Sequence, residues 1–377
     1  MKNAKVLVVG GAGFVGSNLS HSLLKSDIAS LTVVDNLLSA TVENLLDSNQ
    51  LNQPDYFKDS RLKFILGSIS DDRVLLDLPK DYDYVFHLST YHGNQSSICD
   101  PMADHDNNTL TTLKLCEHLK DSSNLKALVY AGAGCTVAKK TFDNVAPTDE
   151  DAGVSLYLDS PYQISKIIGE FYGNYYYMRY KLPFIKARFQ NVYGPREILG
   201  AGQWRGTPAT VWRNVVPSFI WQALNQQALT VENNGIATRD FIYVDDLVAG
   251  LIACASRGQA AEVYNLATGI ETSIGDLANL INQITNNPTA SDNLPAREWD
   301  RSGKRSGTTE KAEEKIGFKA KIDIKTGLEQ TVAWTVENYD LIKAQILRHK
   351  FYLPELSRYE HSKSQKSESK KSELLPA

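Results

Sequence analysis

The run Gly10-Gly11-Ala12-Gly13-Phe14-Val15-Gly16 constrains the fold of this chain more than any other feature, because it follows the apolar stretch Lys5 to Val9 directly and opens a helically spaced stretch to Leu24. A strand that turns at once into a helix beside a bound phosphate needs glycine for three separate reasons. Gly10 permits the tight turn, Gly13 lets the backbone approach a pyrophosphate, and Gly16 lets the helix pack close to the strand. Asp35 closes the second apolar run, Leu31 to Asp35, 19 residues beyond Gly16, close to the ~20 expected for a carboxylate that reaches the ribose of a dinucleotide. One carboxylate accepts from both ribose hydroxyls and repels a 2′-phosphate, so NAD is expected rather than NADP.

The rest of the first half alternates in the same way. Leu62 to Leu66, Tyr84 to Leu88, Ala127 to Ala131 and Pro183 to Ala187 read as strands, while Phe14 to Leu24, Met102 to Leu119 and Ser160 to Tyr180 carry apolar residues at helical spacing. This alternation predicts an α/β fold, a Rossmann-type doubly wound parallel sheet, over residues 1–194. After Gly194-Pro195-Arg196 a polar, Trp- and Arg-bearing stretch runs to Asn214, followed by short mixed elements to about Trp334. A smaller mixed α/β substrate-binding lobe is expected over 195–350, with a soft boundary, because Asp240 to Val244 has the composition of a strand that returns to the main sheet. Residues 359–377, rich in Ser and Lys, are expected to form a disordered tail or, alternatively, a partner-binding one.

Bulk properties exclude several classes of function. A net charge of −4 with 42% hydrophobic residues does not suit a nucleic-acid coat, and no apolar run approaches the ~20 residues of a membrane span. The first apolar run is broken by glycines and lacks a cleavage site, so it reads as a buried strand and not as a secretory signal. Cys99, Cys116, Cys135 and Cys254 are scattered without metal-ligand spacing; neither a disulfide framework nor a metal site is expected, and a reducing, cytoplasmic setting follows.

The candidate chemistry lies in Tyr162-Gln163-Ile164-Ser165-Lys166, which puts a phenol and an ammonium on one helical face. A Tyr is a poor base at neutral pH, and a neighbouring cation favours its phenolate, which can then take a hydroxyl proton as hydride leaves carbon. Tyr177 and Lys181 repeat the spacing, but they straddle the approach to Pro183, where a helix must end. Tyr162 instead opens a helix after Ser160-Pro161, downstream of the fifth strand.

These stretches together resemble the extended short-chain dehydrogenase/reductase family of nucleotide-sugar epimerases, dehydratases and decarboxylases, in particular UDP-glucose 4-epimerase-like members. The resemblance covers residues 1 to about 335 and is carried by GGAGFVGSNL, VVDN at Val33 to Asn36, FHLS at Phe86 to Ser89, DPMADHDNNTLTTLKL from Asp100, SPYQISK, ARFQNVYGPRE from Ala187 and RDFIYVDDL from Arg239. It implies that Gly10, Gly13, Phe14, Val15, Gly16, Asp35, Asn36, Ser68, Ile69, Leu88, Ser89, Thr90, Tyr162 and Lys166 surround NAD. It also implies that Asn191, Asn214, Val215, Arg239 and Arg301 grip a nucleotide diphosphate, although either arginine could equally serve a surface salt bridge. A homodimer built on the Met102 to Leu119 and Ser160 to Tyr180 helices, and a role in bacterial lipopolysaccharide or O-antigen sugar synthesis, are further implications.

Four departures qualify the likeness. Where the family commonly has a Ser-rich stretch after the fifth strand, this chain has Tyr130-Ala131-Gly132-Ala133-Gly134-Cys135-Thr136, which leaves Thr136 as the expected catalytic hydroxyl. Ser68 stands in place of the usual adenine-edge Asp, Glu232 falls near the position of an aromatic that stacks on uracil, and His92 occupies the position of a Lys found in galactose epimerases. Val137-Ala138 follow Thr136 where dehydratases carry an Asp-Glu pair, so C4 epimerisation through a 4-keto sugar is expected ahead of dehydration or uronate decarboxylation. A non-catalytic NAD-binding scaffold is the reading of another class. The stretch Gly200 to Gly206, with Trp212-Arg213, reads either as the wall of a pocket for an N-acetylated or carboxylated sugar or as a solvated loop.

Overall fold

A computed structural model describes residues 1–46, 59–139, 141, 143, 146–296 and 303–362. Six strands form in the first half: β1 (Lys5–Val9), β2 (Ser30–Asp35), β3 (Leu62–Leu66), β4 (Tyr84–His87), β5 (Ala127–Ala133) and β6 (Phe184–Phe189). Shorter ones follow: β7 (Asn191–Tyr193), β8 (Thr230–Glu232), β9 (Thr238–Tyr243), β10 (Val263–Leu266), β11 (Glu271–Ser273) and β12 (Asp292–Leu294). The main sheet is parallel throughout, in the order β10-β6-β5-β4-β1-β2-β3. Both faces are covered, which explains why its strands are apolar without interruption. In β1, Val6 and Val8 join a core with Leu19, Leu31 and Phe86 on one side, while Leu7 and Val9 face Leu115, Leu128 and Tyr176 on the other, as the two-residue side-chain period requires. Strand order reverses between β1 and β4, and a ligand crevice is expected at their carboxyl ends.

The expected helix Met102–Leu119 forms with a wider turn inside it: Pro101–Asp104 is α-helical, His105–Leu110 is π-helical and Thr111–Leu119 is α-helical again. Such turns arise where a side chain must be re-aimed. Here Asn108 donates to Asp104 at 2.7 Å and to Ser165 Oγ at 3.2 Å, and accepts from the Tyr91 N–H at 2.7 Å. It thereby ties this helix to the Pro161–Tyr180 helix that carries Tyr162.

The segment Asp240 to Val244 does not rejoin the main sheet. It lies in β9, which pairs with β7 and β11 in a separate three-stranded sheet, because Phe241 and Tyr243 pack into the lobe's own core with Phe219 and Leu277. The strand that does return is β10, parallel to β6, and the Val244–Arg257 helix buries Leu247, Leu251 and Cys254 in the core of the main sheet. Residue 359, the expected start of the tail, is packed against the fold. Tyr359 is 1% exposed and its hydroxyl donates to Gln227 Oε1 at 2.8 Å, whereas residues 363–377 lie outside the described residues. Among the described residues no helix is long and apolar enough to cross a membrane.

Candidate active site

A cavity of about 780 Å³ opens along the carboxyl ends of the strands and runs into the lobe. The glycine turn forms its floor. Gly10 has φ +82°, and a Cβ there would lie 2.5 Å from the Ser89 nitrogen; a Cβ on Gly16 would lie 2.1 Å from the Gly10 oxygen. The protein itself therefore excludes side chains at these two positions. Gly13 differs, since a Cβ there would meet nothing nearer than the Gly10 oxygen at 3.4 Å, in a backbone conformation (φ −68°, ψ 177°) open to any residue. The space beside Gly13 belongs to the cavity, at the N-terminus of the Phe14–Leu24 helix, where free backbone N–H groups suit an anion.

Asp35 accepts from the Ala12 N–H at 2.9 Å and the Leu37 N–H at 2.8 Å, and burial raises its carboxyl above the usual range. Asn36, Ser68, Ile69, Leu88, Ser89 and Thr90 line the same wall, as do Phe14 and Val15. Ser68 bonds Ser70 Oγ at 2.8 Å, and the Asn36 amide donates to Asn107 Oδ1 at 3.2 Å. The residues present fit a dinucleotide. Gly13→Ala is accordingly expected to cost about 1 kcal/mol or less of stability while weakening NAD binding by on the order of tenfold, as read by thermal unfolding and by titration with NAD.

Tyr162 and Lys166 enter the cavity from the first turns of the Pro161–Tyr180 helix. Ser160 caps that helix and Pro161 opens it. The Lys166 ammonium donates to the Ala131 carbonyl at 3.2 Å and lies 5.2 Å from the centroid of the Tyr130 ring and 6.0 Å from that of Tyr162. Burial pushes the Tyr162 phenol up, with Cys135 and Asp104 acting in the same sense and Thr90 opposing. The same burial lowers Lys166 to about 8, with Asp104 and Cys135 opposing. Desolvation thus sets the direction of the phenol's shift, opposite to the one expected from the Tyr-Lys spacing.

That burial has a consequence for stability. A lysine whose pKa falls from 10.5 unfolded to about 8 folded disfavours folding at every pH below 8, and the penalty fades as pH rises from 8 towards 10.5. Lys166→Met is expected to raise stability by roughly 1–3 kcal/mol at pH 7 and to abolish turnover. The gain over wild type should shrink between pH 8 and 9.5 in denaturant titrations.

The structure corrects one expected residue. Thr136 is 1% exposed, its hydroxyl donates to the Ala133 carbonyl at 2.7 Å, and the cavity wall at this point is Cys135 instead. Gly134–Thr136 is a 3₁₀ turn, in which successive side chains point about 120° apart; with Cys135 facing the cavity, Thr136 must face the core. The hydroxyl that interacts with the Tyr162 phenol is that of Thr90, whose oxygen is buried at the cavity wall. His92 also lines this end and stands edge-on to Tyr162, 6.0 Å between ring centroids. Burial, followed by Arg205, Arg213 and Lys166, lowers its pKa to about 3 and keeps it neutral.

Towards the lobe, Asn191, Asn214, Val215 and Arg239 line the cavity. Asn214 and Val215 sit at the N-terminus of the Val215–Leu224 helix, and Arg239 is 7% exposed with Nη1 on the Thr238 carbonyl at 2.7 Å. Glu232 and the aromatic side chains of Phe219 and Phe241 lie in the same part. Arg301 lies outside the described residues. Asn107, Glu197, Arg213 and Arg305 also line the cavity without having been assigned from the sequence. Asn107, Glu197 and Arg213 fell within stretches singled out there and Arg305 did not, and no spacing rule marks any of the four.

Residues 6–267 match the NAD dependent epimerase/dehydratase family. The chain belongs to that family. Among solved structures it is similar to the Bordetella bronchiseptica enzyme WbmF in complex with NAD+ and UDP, at 52% identity, covering 94% of this chain and 98% of that one with a TM-score of 0.82. Among relatives it is 28% identical over 329 residues to a UDP-glucose 4-epimerase of Mycolicibacterium smegmatis, covering 87% of this chain and 97% of the relative. It is 29% identical over 342 residues to a UDP-glucuronate 4-epimerase of Thermodesulfobacterium geofontis, covering 90% and 98%.

Proposed function

We propose that this family member is an NAD-dependent epimerase of a UDP-linked hexose, or of its amino or uronic derivative, inverting the configuration at C4. The observation that carries this reading is that Tyr162 and Lys166 share one cavity with the glycine turn and Asp35 at one end and with Asn214, Val215 and Arg239 at the other. Relatives solved with NAD+ and UDP, or named as UDP-sugar epimerases, support it.

Bound NAD supplies a hydride acceptor and donor, which lets C4 pass through a ketone and return inverted. Tyr162 holds the proton of the C4 hydroxyl, Lys166 and the Thr90 hydroxyl stand beside the phenol, and the Val215–Leu224 helix N-terminus with Arg239 anchors the diphosphate. After β5 the cavity wall is Cys135, with no carboxylate from this segment, which sets dehydration behind epimerisation. The test is incubation with UDP-hexoses and product analysis by NMR. A new C4 epimer is expected; no change in any sugar would favour a non-catalytic scaffold.

One observation favours a second reading. Cys135 and His92 flank Tyr162 at the sugar end, and a 4-ketone acidifies the neighbouring C5–H, so a thiol and a neutral imidazole there suit inversion at C5 by proton removal and return. Deuterium from solvent would appear at C5 under this reading and nowhere on the ring under the first.

Met102, Ile164, Phe171 and Met178 are exposed, at 46–68%, on the two helices expected to pair, which supports a homodimer. A cytoplasmic site of action fits the four free thiols, and a place in lipopolysaccharide O-antigen sugar synthesis rests on the family likeness.

A further inference from the structure

The loop 198–213 walls the sugar end of the cavity, and residues near the end of the described chain hold it from outside. Trp204 stacks on Tyr352 with ring centroids 4.6 Å apart, His349 Nε2 pairs with the Gly200 carbonyl at 2.7 Å, and Val211 packs beside Ile346 and Leu356. A loop fixed in this way presents its inward side chains in one geometry.

Two arginines of the loop lie at that end, Arg213 in the cavity wall and Arg205 behind it against His92. Arg205 is 5% exposed; its Nη1 donates to the His92 carbonyl at 2.8 Å and its guanidinium lies 5.5 Å from the Tyr91 ring centroid. Arg213 lines the cavity, with Nη1 on the Ser39 carbonyl at 2.6 Å and Nη2 on the Ala201 carbonyl. Nε of both, and Nη2 of Arg205, are buried without a partner. Among the described residues neither arginine forms an ion pair. The carboxyl nearest in function, Glu197, bonds the Asn214 amide and leaves Oε2 buried and unpartnered. Burial raises Glu197 to about 7, so it offsets the arginines only in part, and burial, with Arg205 adding to it, lowers Arg213 to about 9.

Buried guanidinium groups without a carboxylate are costly unless a ligand brings the counter-charge. The diphosphate already has Arg239 and the helix N-terminus at Val215. Arg205 and Arg213 act instead on His92, and His92 stands against Tyr162, the end where the sugar reacts. We infer that the nucleotide-linked sugar carries a carboxylate, taken by Arg213 with Arg205 behind it, so that the substrate is a hexuronate. This rests on the reading of the cavity as a nucleotide-sugar site.

The test is calorimetric titration of the NAD-loaded protein with UDP, UDP-glucose and UDP-glucuronate. UDP-glucuronate is expected to bind about tenfold or more tightly than UDP-glucose, as a charge-assisted hydrogen bond would give. Arg213→Gln should collapse that ratio towards one while leaving UDP affinity unchanged, and Arg213→Lys should restore part of it. Equal wild-type affinity for the two sugars, with UDP bound normally, would overturn the inference alone, and it decides the matter even if the variants fail to fold. A preference that survives both Arg213→Gln and Arg205→Gln, or a loss in Arg213→Gln that falls equally on UDP, would overturn it too. Failure of UDP itself to bind would overturn the nucleotide-sugar reading beneath it.

Discussion

Tyr162→Phe is expected to lower kcat by about 10²–10⁴-fold while leaving NAD and UDP affinity nearly unchanged. The substitution removes one oxygen and keeps the ring, so the edge-on contact with His92 and the position of Lys166 over the ring are retained. What is lost is the one group placed to hold the C4 hydroxyl proton. Because burial holds the phenol up, wild-type turnover should rise with pH on the alkaline side, and the residual rate of Tyr162→Phe should lose that rise. Wild-type turnover in the variant would remove Tyr162 from its role; loss of NAD binding would show that its effect is structural.

Arg188→Ala is expected to destabilise the fold by about 3–5 kcal/mol, the cost of leaving a buried charge without its partner. Arg188 on β6 donates through Nε and Nη2 to both oxygens of Glu170, at 2.9 and 2.8 Å, and through Nη1 to the Glu150 carbonyl at 2.9 Å. Both side chains of the pair are about 95% buried, at 6% and 5% exposure. Glu170 sits one turn beyond Lys166 on the same helix, so the pair fixes the helix that carries the phenol against the sheet. Replacing both members with apolar residues of similar size, Arg188→Met with Glu170→Leu, should recover most of the loss, since both desolvated charges leave together. Denaturant unfolding of the single and double variants measures this; equal destabilisation in both would mean that packing, and not charge, dominates.

How much of this was legible in the sequence follows from how local each feature is. The glycine turn, Asp35 at the end of β2 and the Tyr162–Lys166 pair are short-range patterns whose geometry is set by one turn or one helix, and the structure puts all of them in one cavity. Thr136 was misread because a 3₁₀ turn of three residues decides which of two adjacent side chains faces the ligand, and residue type alone favoured the hydroxyl over the thiol of Cys135. The return of β10 rather than β9 to the main sheet depends on what each strand packs against, Phe241 and Tyr243 in the lobe and Tyr264 and Leu266 under the sheet. Arg205, Arg213 and Glu197 acquire meaning only through contacts distant in the chain, such as Arg213 with Ser39 and Arg205 with His92.

Hydride is expected to leave and return to C4 within this one cavity, while Tyr162 handles the hydroxyl proton. A UDP-hexuronate labelled with deuterium at C4, incubated in ordinary water and followed by NMR, tests it most directly. The C4 epimer should form with the deuterium still at C4. Formation of the epimer with the C4 deuterium exchanged for solvent hydrogen would contradict it.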